Sequence, residues 1–199
     1  FTLFSYKEQE SALYQGITSI IIGNNGCSLA PILKNNLSDL SQWNSSKINI
    51  NWQTMDEFLR YLKKTRPFVN IFNLVGQTTV KKGIINDEIR DLTDQELEKL
   101  KNYLDQSLKE GSGGLSCDLK YSYLTQTSFA ELVMLAQLAK KHNKILVIQL
   151  RDQKDNLISS LEEIESLLDT LGKDKCPKIE ITHFYAYKDN IDEIWQGVA

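Results

Sequence analysis

Five runs of apolar, β-forming residues recur along the 199-residue chain, separated by stretches with helical periodicity. They are Gly16–Ile22, Phe68–Val75, Gly113–Cys117, Lys144–Leu150 and Lys178–His183. In the fourth run Ile145-Leu146-Val147-Ile148 is apolar without alternation, the pattern of a strand covered on both faces. Between the runs, Met55, Phe58, Leu59 and Leu62 fall at helical spacing. Thr93-Asp94-Gln95-Glu96 forms a capping box that opens a helix ending at Gly111. Further helices are expected from Phe129 to near His142-Asn143, from about Asn156 to Leu171 and from near Asp189. Parallel neighbours need crossover connections, which helices supply, so the alternation predicts an α/β fold with about five parallel strands.

The net charge of −3 provides no basic field for nucleic acid or for an anionic membrane surface. No apolar run approaches the length needed to cross a bilayer. Cys27, Cys117 and Cys176 are odd in number and widely spaced, which favours reduced thiols in a cytoplasmic protein. The chain opens on Phe1 and runs in a helical pattern into Ala199, so both ends are expected to be cuts in a longer protein. Residues 1–199 are expected to form one domain. The Asn- and Ser-rich stretch 30–53 reads as a loop elaboration after the first strand.

Parallel α/β folds gather their chemistry at the carboxyl ends of the strands. Those ends carry Asn24-Asn25-Gly26-Cys27, Gly76-Gln77-Thr78-Thr79, Ser116-Cys117-Asp118, Gln149-Leu150-Arg151-Asp152 and His183. Arg151, directly after a buried strand, has the planar fork that pairs with a carboxylate. A salt bridge at the rim of the fold explains it equally well. Asp118 and Asp152 serve either as hydrogen-bond acceptors at a site or as caps of the following segment. His142 falls at a helix end, where a partly positive group is favoured. Tyr121, Tyr123, Phe184, Tyr185 and Tyr187 follow two strand ends and either line an apolar pocket or pack against the core.

Five collinear blocks resemble the N-acyl-D-amino-acid deacylases (D-aminoacylases) of the amidohydrolase superfamily. Gln15-Gly16-Ile17-Thr18 through Gly23-Asn24-Asn25-Gly26 and Ser28-Leu29-Ala30-Pro31 is similar to that family's Q-G-V-T-T-V-V-V-G-N-C-G-x-S-x-A-P. Val69-Asn70 to Val80-Lys81 resembles V-N-V-A-x-L-V-G-H-G-x-L-R, and Glu110 to Ser116 with Tyr121 resembles E-A-G-A-x-G-L-S-T-G-L-x-Y. Ile148-Gln149-Leu150-Arg151 stands where the family has T-H-M-R, and Ile181-Thr182-His183 matches I-S-H.

The resemblance implies part of a TIM-type (β/α) barrel. It also implies hydrolysis of the N-acyl amide bond of N-acyl-D-amino acids by zinc-activated water. The family's ligands are a His-x-His pair on the first barrel strand, the G-N-C-G cysteine and the histidines of H-M-R and I-S-H, with a distal Asp as acid and base. Matched position by position, the cysteine is Asn25, the H-M-R histidine is Gln149 and the G-H-G histidine is Gln77. The His-x-His strand and the Asp fall outside the chain. His183 alone is kept as a metal ligand, with Cys27 as a substitute two residues beyond Asn25.

Arg151, Gln149, Asn25 and Tyr121 are the candidate substrate-binding residues. With this ligand set, zinc is in doubt here and hydrolysis by these 199 residues alone is not expected. The readings that remain are a deacylase domain in an intact parent, a catalytically silent binding or scaffold subunit, and a dihydroorotase- or dipeptidase-like hydrolase. An open five-stranded arc would also need further barrel segments or self-association to cover its edges.

Overall fold

The computed structural model describes residues 9–33, 50–86, 88–119 and 126–185. Its centre is a parallel sheet of five strands in sequence order: β1 (Ser19–Ile22), β2 (Asn70–Gly76), β3 (Gly114–Asp118), β4 (Ile145–Gln149) and β5 (Lys178–Thr182). A short helix, α1 (Glu10–Tyr14), precedes β1. The crossovers carry α2 (Met55–Thr65), α3 (Gln77–Ile85), α4 (Asp94–Lys109), α5 (Phe129–Lys141) and α6 (Leu157–Leu171). The expected loop elaboration falls largely outside the described residues, as do Tyr121, Tyr123, Tyr187 and the helix expected near Asp189.

Capping chemistry sets three of the helix starts. Thr54 with Glu57, Thr93 with Glu96 and Ser128 with Glu131 form reciprocal capping boxes at α2, α4 and α5. Each satisfies backbone N–H groups that the first helical turn leaves without partners. The expected helix α4 stands where its capping box placed it. By contrast, α3 has no counterpart in the sequence reading. It starts directly at the end of β2, and Gln77, Thr78, Thr79 and Lys81 are all buried in it. Burial of polar side chains removes the apolar stripe by which a helix is read.

Strand register explains how the two faces of the sheet differ. Leu115, Leu146 and Ile179 lie in one row, and Cys117, Ile148 and Ile181 in another. These rows join the helices in one core, in which Phe58, Leu100, Leu104, Leu132 and Leu135 are fully buried. Alternate rows point the other way: Ile21 with Phe72, Gly76 with Ser116, and Asp118 with Gln149 and Thr182. Ile21 and Phe72 remain 65% and 45% exposed, so this concave side is only partly covered. The sheet curls. Although β1 and β5 are its opposite edges, the Thr182 hydroxyl reaches Asn25 just beyond β1.

Asp105 ties α4 to α5. Its carboxylate accepts hydrogen bonds from His142 Nε2 at 2.8 Å, Lys109 Nζ at 2.6 Å and Lys141 Nζ at 2.6 Å. Led by His142, these donors hold the carboxyl well below the usual carboxylate range. A carboxylate depressed on folding stabilises above its unfolded pKa, and that contribution fades as pH falls through the folded value. Asp105→Asn should therefore cost about 1 kcal/mol near pH 7, the upper end for exposed pairs. The deficit relative to the parent should shrink as pH drops below roughly 4, as measured by thermal melts across pH.

Candidate functional site

The segment Gly23–Cys27 is a tight turn clamped over the strand ends. Gly23, Asn25 and Gly26 all have positive φ, at 83°, 52° and 69°. Glycine is required at Gly23 because a Cβ there would stand 2.1 Å from the Leu74 carbonyl oxygen. Gly26 N–H donates to Ser116 Oγ at 3.1 Å, and the Ser116 hydroxyl in turn donates to the Gly23 carbonyl. The Gly26 carbonyl accepts from Thr79 N–H at 3.0 Å, and Ser28 N–H donates to Thr79 Oγ1 at 2.9 Å. The turn after β1 is thus bolted to β3 and to the first turn of α3.

Beside this turn, Asp118, Gln149 and Thr182 occupy one register row across β3, β4 and β5. Residues sharing a row on adjacent parallel strands project from the same face. The Thr182 hydroxyl lies 3.4 Å from both Asn25 Oδ1 and the Ile148 carbonyl oxygen. Gln149 Oε1 is buried and has no hydrogen-bond partner among the described residues. Asn25 and Gln149, candidates on different strands, therefore come to the same end of the sheet, with Thr182 bridging toward Asn25. Thr182 and Ser116 are the residues sequence reasoning did not single out. Their in-register positions on β5 and β3 are visible only once the strands are paired.

Arg151 is spent on structure. Its guanidinium grips Glu163 bidentately at 3.0 and 2.8 Å, and donates to the Leu119 and Thr127 carbonyl oxygens at 2.6 and 2.8 Å. Of the two readings of Arg151, the salt bridge at the rim is the one this geometry displays. A substrate carboxylate could take the fork only by displacing Glu163. Asp152 acts as a local acceptor, taking the N–H groups of Lys154 and Asp155 at 2.8 and 3.1 Å.

Gln77 faces a different environment, between α3 and α5. Its amide donates to Glu131 at 2.7 Å, and Lys81 Nζ meets the same carboxylate at 2.6 Å. The Lys81 and Glu131 side chains are 0% and 1% exposed. Lys81 also donates to the Gln126 carbonyl, and Thr127 Oγ1 to the Asp118 carbonyl at 2.9 Å. This cluster braces the floor beneath the strand ends.

Zinc prefers thiolate, imidazole and carboxylate donors, and Cys27 and His183 are the two expected to supply them. The Cys27 thiol is pushed up to about 11, first by burial and then by the Asp118 carboxylate. His183 follows β5 at φ 55° and is exposed. Among the described residues no three His, Cys, Asp or Glu side chains are grouped to hold a metal ion. Asn25 and Gln149 present amides, which are weak zinc donors. These residues do not fit the ion. No helix among the described residues is long and apolar enough to cross a membrane.

No protein-family model matches the chain. The N-acyl-D-aspartate deacylase of Alcaligenes xylosoxydans xylosoxydans is 29% identical over 162 residues, covering 81% of this chain and 32% of that protein. The D-aminoacylase of the same organism is 24% identical over 165 residues, covering 81% and 33%. The crystal structure of N-acyl-D-glutamate deacylase from Bordetella bronchiseptica, complexed with zinc and a phosphonate inhibitor, superposes with a TM-score of 0.79 at 20% identity. That superposition covers 100% of this chain and 42% of the other, and it identifies the curled five-stranded sheet as part of an amidohydrolase-type barrel. The chain spans about a third of the length of the curated relatives it matches. The chain is thus similar in sequence, over about four fifths of its own length, to an N-acyl-D-aspartate deacylase and a D-aminoacylase, and shares the barrel fold of the solved deacylase structure.

Proposed function

We propose that the protein acts on N-acyl-D-amino acids in the manner of the deacylases, and that these 199 residues form a substrate-lining arc of its barrel without hydrolysing the amide bond themselves. The observation that carries this reading is the convergence of Asn25, Gln149, Asp118 and Thr182 at the carboxyl end of the parallel sheet. That is where folds of this kind bind ligands. Asn25 and Gln149 supply amide groups to the ligand. The partly covered concave face around Ile21 and Phe72 is to be closed by further β/α units or by a second copy of the chain.

The test is binding and turnover on one sample. N-acetyl-D-aspartate and N-acetyl-D-glutamate should bind more tightly than their L-enantiomers in calorimetric titrations, and acetate release by the chain should stay at the uncatalysed level. Equal binding of both enantiomers, or none, would reject the substrate class. Rapid acetate release would reject the silent arc. Sedimentation of the same sample reports whether the concave face is closed by self-association.

A second reading, a binding or scaffold subunit that has lost catalysis altogether, is favoured by one observation. Of the three strand-end positions matched to metal ligands, two hold neutral amides, Asn25 on β1's turn and Gln149 on β4, and only His183 is kept. It predicts that a longer form of the protein also fails to release acetate while still binding the D-enantiomers.

A further inference from the structure

Gln149 Oε1 is, among the described residues, the buried side-chain oxygen or nitrogen left without a hydrogen-bond partner. Such an atom is unusual in a folded protein, because leaving water without a replacement donor is costly. It lies in the register row Asp118–Gln149–Thr182, with Asp118 on the neighbouring strand β3 and Thr182 on β5. Thr182 is engaged with Asn25 and the Ile148 carbonyl. Among the described residues no donor reaches this amide oxygen, which leaves it open to one from a ligand. An acceptor beside a carboxylate disfavours the anionic end of a ligand and selects an N–H or O–H group.

Resting on the substrate class proposed above, this assigns a contact. An N-acyl amino acid at neutral pH has ionised carboxylates, so its amide N–H is its hydrogen-bond donor. We propose that Gln149 Oε1 accepts the amide N–H of an N-acyl amino acid directly, in a site that needs no metal ion. Where relatives place an imidazole for zinc, this chain holds the amide nitrogen of the ligand instead. Gln149 would thereby orient the acyl group, with Asn25 and Thr182 forming the adjoining wall of the site.

The full chain is titrated with N-acetyl-D-glutamate in EDTA and again with zinc added. The expected affinity is the same in both. N-acetyl-N-methyl-D-glutamate, which lacks the amide N–H, should bind roughly tenfold or more weakly. Gln149→Met should erase that discrimination by weakening only the N–H ligand. It should also raise the melting temperature by about 2–4 °C, because the orphaned acceptor is gone. A merely structural glutamine would not link higher stability to weaker binding.

Binding that requires zinc would overturn the proposal, as would equal affinity of the wild type for the two probes, a result independent of how any variant folds. In either case the substrate class survives. Failure of all N-acyl-D-amino acids to bind would overturn the contact and the substrate class together.

Discussion

Lys81→Met is expected to lower the stability of the chain by about 3–5 kcal/mol, a melting temperature decrease of roughly 10 °C. The reason lies in what the variant leaves behind. Lys81 and Glu131 form a fully buried pair at 2.6 Å between α3 and α5. Removing the ammonium strands a buried carboxylate among Gln77, Ser128 and the start of α5. Two charges out of water are costly, and their attraction only roughly repays that cost; a single charge has nothing to repay it. The double variant Lys81→Met/Glu131→Gln should therefore recover most of the loss. Glutamine keeps the N3 side chain of the capping box while removing the charge. Thermal melts of both variants decide the matter: a double variant no more stable than Lys81→Met would mean the pair is not what sets the cost.

Gly76→Ala should act by steric exclusion and be nearly as damaging. A Cβ at Gly76 would stand 2.2 Å from the Gly26 carbonyl oxygen, 2.4 Å from its carbon and 2.6 Å from Cys27 N. All three are backbone atoms of the clamped turn, so no side-chain rotation relieves the clash. Either β2 or the turn must move. Overpacking of this kind costs typically 1–3 kcal/mol and occasionally more, and backbone neighbours place Gly76 at the upper end. Movement of the turn would also break the Gly26 contacts to Ser116 and Thr79, displacing Asn25. Gly76→Ala should accordingly lose ligand binding as well as stability. Retention of both would show that the turn is not held by this close approach.

Much of the fold was legible because it depends on local patterns. The five apolar runs became five strands in the expected parallel arrangement, and the Thr93–Glu96 box opened α4 as read. The helix α3 was not legible, because its buried face is built from Gln77, Thr78, Thr79 and Lys81 instead of an apolar stripe. Those residues are explained by partners far along the chain, such as Glu131 and Ser28. The candidate site shows the same division. Asn25 and Gln149 were visible as polar strand-end residues, and the collinear blocks identified what they replace. That Thr182 would meet Asn25 depends on how the sheet curls, and that Gln149 Oε1 would lack a donor depends on everything packed around it. Arg151 was read with two roles open. Only the position of Glu163, twelve residues on along α6, shows how its guanidinium is used.

On the reading proposed above, the strand-end site works by amide hydrogen bonding and holds no metal ion. Zinc content by mass spectrometry, after zinc loading and desalting, tests it most directly. The measurement compares the purified chain with an Asn25→Cys/Gln149→His double variant that adds a thiolate and an imidazole to the strand ends, where β5 ends at Thr182 just before His183. The predicted result is negligible zinc in the parent chain and about one per chain in the double variant, since those donors are the ones zinc holds. About one zinc retained by the parent chain would contradict the account and return Cys27 and His183 to the role of ligands.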